Sequence, residues 1–104
     1  MTEDAPKLVF ESYEFDERTA YEAVARGYLG NVQVELPNGS RYPVLFYDPV
    51  RLQQDLETEA DELGNPFISD PGMIVVTSVT LENMQKAVSK LYQERYFSYF
   101  QPLG

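Results

Sequence analysis

Asn31-Val32-Gln33-Val34-Glu35-Leu36-Pro37-Asn38-Gly39-Ser40-Arg41-Tyr42-Pro43-Val44-Leu45-Phe46-Tyr47 decides how this chain folds. Val32, Val34 and Leu36 alternate with Gln33 and Glu35, the period of a strand with one apolar face. A second β-rich run starts at Ser40, and Asn38-Gly39 accepts the positive φ angles of a two-residue type I′ turn. The stretch is expected to form a β-hairpin. Pro37 and Pro43 cannot donate to a ladder, so they belong near the turn or on an outward-facing edge.

Working outward, residues 7–15 read as a strand, with Leu8 and Phe10 on one side and Val9, Tyr13 and Phe15 on the other. Asp16 is placed to cap a helix over 17–26, and Gly27 to stop it in the left-handed conformation. Beyond the hairpin, Asp48-Pro49 opens a second helix, since aspartate accepts from orphan amides and proline at the first helical position has no amide to satisfy. Leu52, Leu56, Ala60 and Leu63 line one face of it, and Gly64 closes it. Residues 65–72 read as a loop. The apolar run 73–79 reads as a strand buried on both faces in the sheet interior. Thr80 caps a third helix striped by Leu81, Met84, Val88, Leu91 and Tyr92, with Lys86 and Lys90 complementing its dipole. The aromatic segment 95–100 reads as a last strand.

The resulting order, β-α-β-β-α-β-α-β, gives an α+β class, an antiparallel or mixed sheet with helices on one face. Its first six elements match the order of a ferredoxin-like split βαβ sandwich. That likeness carries no functional inference.

A chain of 104 residues is expected to form a single domain, 1–104. It has no cysteine and no histidine, which removes disulfides, thiolate metal sites, the commonest general base and the usual zinc ligands. No phosphate-binding glycine loop is present, and no cofactor is expected. The acidic start, Met1 to Pro6, is unlike a secretory signal, and no apolar run approaches a membrane span. A cytoplasmic protein is expected. The formal charge of −9 opposes phosphate backbones and anionic membranes, so neither nucleic acid nor membrane is an expected partner.

Residues 52–85 hold seven acids, Asp55, Glu57, Glu59, Asp61, Glu62, Asp70 and Glu82, without one lysine or arginine. On the second helix Asp55, Glu59 and Glu62 flank the leucine stripe on one side, Glu57 and Asp61 on the other. These acids form either a solvated helix face or a surface for a basic protein. The window 59–70 superficially matches a calcium loop, but Leu63 takes a ligand place and Pro66 stiffens the eighth, so no metal site is assigned. A carboxylate enzyme would have to draw on Asp48 and Asp70, both of which have structural roles as cap and turn former. Tyr96, Phe97, Tyr99 and Phe100 fill either the core or an interface, including a homodimer. The expectation is a protein-binding module, an inhibitor or antitoxin-like subunit facing a basic partner. The alternatives are a structural subunit assembling through its aromatic segment and a small carboxylate enzyme.

Overall fold

A computed structural model describes residues 5–103. The hairpin forms as expected from strands β2 (Tyr28–Glu35) and β3 (Arg41–Tyr47), with Val32 opposite Val44 and Val34 opposite Tyr42. Its loop is one residue longer than a type I′ turn. The Gly39 amide donates to the Leu36 carbonyl at 2.8 Å, and only Gly39, at φ 89°, is left-handed. Pro37 is the cause: its ring fixes a negative φ at the second turn position, leaving the left-handed step to the glycine that follows.

Strand β1 (Lys7–Phe10) pairs antiparallel with β2, and β4 (Met73–Val75) pairs parallel with β3, so the sheet runs β1-β2-β3-β4. Helix α1 (Glu17–Arg26) joins β1 to β2, α2 (Pro49–Leu63) joins β3 to β4, and α3 (Leu81–Gln93) follows. This is the expected α+β class with a mixed sheet. The two strands around α2 lie side by side, with none inserted between them, so the ferredoxin-like order does not extend to that fold's split arrangement.

The core lies on one side of the sheet. Val32, Val34, Val44 and Phe46 meet Ile74, Val76 and Val79, with Ala23 from α1 and Met84 and Val88 from α3. Phe10, Phe15 and Tyr92 pack around them. A register shift between Leu29 and Val32, where Asn31 takes φ 54°, keeps Leu29 against this core as well.

The helix limits follow the local chemistry. Asp16, Asp48 and Thr80 each accept an amide three residues ahead, and Gly27 and Gly64 close α1 and α2 at φ 67° and 73°. Asp48→Ala is expected to destabilise by about 1 kcal/mol in urea unfolding, and a change near zero would mean that this cap contributes nothing.

Three further expectations are corrected. The strand at 7–15 stops at Phe10, because Ser12 takes φ 68° and turns the chain. The 73–79 run supplies only a three-residue edge strand, with Val75 48% exposed; Val76 and Val79 are buried where the chain crosses towards α3. The aromatic segment is a 3-10 helix, Tyr96–Tyr99, in place of a strand. Arg95, at φ 61°, reverses the chain and drops Phe97 onto Tyr42, ring centroids 5.4 Å apart.

Candidate functional site

Helix α2 does not pack as its pattern suggests. Tyr28 and Tyr47 are cross-strand partners next to the Leu29 and Phe46 pair, so side-chain alternation puts their rings on the side of the sheet away from the core. Those tyrosines receive α2. The Tyr47 hydroxyl donates to Asp55 Oδ2 at 2.9 Å, and Arg51 Nε donates to Asp55 Oδ1 at 2.9 Å. The Arg51 guanidinium also lies 5.4 Å from the centroid of the Tyr28 ring, and its Nη1 donates to the Arg26 carbonyl.

The helix is therefore held at its first turns by a polar seam. Its leucine stripe is only partly covered, and it emerges towards the end of the helix. No residue of α2 is buried, and none of its leucines joins the core cluster. Leu56 is 36% exposed, Leu63 67% and the following Phe67 62%. The molecule measures 47 × 32 × 24 Å, with a radius of gyration of 14.4 Å against about 13 Å for a compact chain of this length. Its 7080 Å² of accessible surface is roughly 1,000 Å² more than a compact 11.9 kDa chain keeps.

The acids divide by role. Asp55 is committed to Arg51 and Tyr47, so it is not a free charge. Glu59 accepts from Asn65 Nδ2 at 3.0 Å and stays partly exposed. Glu57, Asp61 and Glu62 are exposed and make no salt bridge among the described residues. Between α2 and the loop that follows it lies an open cleft of about 450 Å³, lined by Tyr47, Asp55, Glu59, Asn65, Phe67 and Asp70. Asp48 does not line it. The pair proposed for carboxylate chemistry is thus not brought together there, and among the described residues no three acids group closely enough to hold a metal ion.

The aromatic segment mostly turns inward. Phe97 is 2% exposed and Tyr96 and Phe100 pack against the core, which leaves Tyr99, 85% exposed, as the one outward ring of the four. The apolar hollow beside it, about 210 Å³ between Tyr42, Pro43, Tyr96 and Phe100, is smaller than ordinary ligand pockets.

Burial and the bond to Asp55 push the Tyr47 hydroxyl up to about 12, and burial pushes Tyr13 to about 12. Each is higher folded than the ordinary value of 10 that applies unfolded, so its contribution to stability is complete below about pH 10 and is lost as pH rises towards 12. In an ultraviolet titration these tyrosines are expected to ionise after the exposed ones, and Tyr47→Phe to remove part of the late phase. A single phase near 10 would show that neither hydroxyl is sequestered.

The sequence showed the acids and the leucine stripe, but not the seam that holds the first turns of α2 on Tyr28 and Tyr47. Arg51 to Asp55 at helical spacing was the only visible part of it. Among the described residues no helix is long and apolar enough to cross a membrane. Comparison with protein-family models, with curated proteins and with solved structures finds no match, so the reading of function rests on these surfaces.

Proposed function

We propose that the protein is a non-enzymatic binding module that engages a positively charged protein through α2 and the loop after it. The observation that carries this reading is the projecting helix: Glu57, Glu59, Asp61 and Glu62 stand on an element with no buried residue, in a segment of 34 residues without a base. Such a one-sided field accelerates encounter with a basic surface and penalises acidic competitors. The open cleft adds Asp70 and the Phe67 ring beside Glu59, a setting suited to a lysine or arginine stem and head.

Affinity capture from the native host, comparing the wild type with a variant carrying Glu57→Gln, Glu59→Gln, Asp61→Asn and Glu62→Gln, tests it. The variant should fold normally, because exposed charges contribute little to stability. Partners retained only by the wild type are expected to be basic, and purified pairs should associate more slowly as salt rises, with screening over about 8 Å at physiological strength. Equal capture by both proteins, or a salt-independent association rate, would remove the acidic helix from the mechanism.

A further inference from the structure

The geometry points to a cationic amphipathic helix, supplied by the partner protein, as the segment that covers the exposed end of the leucine stripe of α2. This rests on the basic-partner reading above and adds the form of the contact. The stripe of Leu52, Leu56, Ala60 and Leu63 runs along a helix of 15 residues, about 22 Å, and Phe67 follows just beyond its end. None of these side chains reaches the core cluster; Leu52 and Leu56 are partly covered by the chain itself, whereas Leu63 and Phe67, 67% and 62% exposed, carry the ridge out into water on an element tied down by polar contacts.

Two features select the occupant. A strand laid on α2 would leave its own amides and carbonyls facing side chains, because the backbone of a helix is already paired internally. A second helix brings its backbone satisfied and offers ridges for the grooves of the first. Charge then decides between a second copy and another protein. Glu59 and Glu62 lie on one side of the stripe, Glu57 and Asp61 on the other, and the only base of α2, Arg51, is already paired with Asp55. A second copy of α2 would set like charges against each other along both flanks. A helix with leucines on one face and lysines or arginines on both sides of it would complement them.

The test uses two synthetic peptides of about 15 residues with identical composition, matched to the length of α2. One places leucines at helical spacing among lysines, and the other scrambles the order. The ordered peptide is expected to bind, to gain helical circular dichroism on binding, and to bind about tenfold more tightly than the scrambled one. Leu63→Ser with Phe67→Ser, both at mostly exposed positions, should cost the ordered peptide about tenfold in affinity and leave the unfolding midpoint of the free chain unchanged. Equal binding of the scrambled peptide would overturn the helical contact while leaving the basic-partner reading standing. Failure of both peptides at low salt would take both readings down. A lowered unfolding midpoint in the serine variant would show that the stripe is covered within the chain. A dimer in sedimentation that the serine variant dissolves would assign the stripe to a second copy.

Discussion

Phe97→Ala is expected to lower stability by about 3 to 5 kcal/mol in urea unfolding, while Tyr99→Ala, two residues away, changes it by less than about 0.5. The two rings sit in the same 3-10 helix, 2% and 85% exposed. Phe97 touches Tyr42 and the edge of Tyr96, at 5.4 and 5.2 Å between centroids, and belongs to the core cluster. Removing it deletes a buried ring and leaves a void that the hairpin above it cannot close without moving Tyr42. A loss of this size is a large share of the roughly 5 to 15 kcal/mol of a typical domain. Similar small effects for both variants would show that the segment does not pack and would return it to the candidates for an interface. Sedimentation of Tyr99→Ala addresses the remaining part of the assembly reading, since Tyr99 is the one ring of the four that faces out.

Gly72→Ala is expected to cost about 3 kcal/mol, for two additive reasons. Gly72 has φ 81°, which penalises any residue with a Cβ, and that Cβ would collide with the Pro43 carbonyl oxygen and sit 3.3 Å from the Val44 Cα. Both obstacles are backbone, so neither can swing aside. The Gly72 carbonyl also accepts the Leu45 amide at 3.1 Å, the first bond that joins β4 to β3. Gly64→Ala serves as the control, at φ 73° in open space, and should show only the conformational part, about 1 to 2 kcal/mol. Equal costs at the two positions would mean that the close approach at Pro43 relaxes freely.

What could be read from the sequence was what local chemistry decides. The starts of all three helices follow from Asp16, Asp48-Pro49 and Thr80, and two of the ends from Gly27 and Gly64, because a cap needs only its own few residues. The hairpin was legible for the same reason, although Pro37 changed its loop. The errors arise where distant residues decide. An aromatic run such as 96–100 has strand propensity, but a left-handed Arg95 and the space over Tyr42 set its conformation. The apolar run at 73–79 counted as interior strand, whereas Val75 stands half exposed at the sheet edge and Val76 and Val79 are buried in the crossover to α3. Most instructive is α2: periodicity states that a face should be covered and is silent about what covers it. Tyr47 joined to Asp55, and Arg51 over Tyr28, are contacts between separate elements that no spacing announces.

Pro43 bears on whether a stray strand can add to the sheet beside β4. The Leu45 amide points from β3 towards β4, so by alternation the position two residues earlier faces the same way, along the part of β3 that the three residues of β4 do not reach. Proline puts no donor there, and the Arg41 carbonyl is already taken by the Leu103 amide at 2.7 Å. A stray strand arriving at this edge would find one hydrogen bond missing and another occupied. Open edges of this kind are the templates on which chains stack into fibrils. Along this stretch of β3, the missing donor and the occupied carbonyl disfavour such stacking.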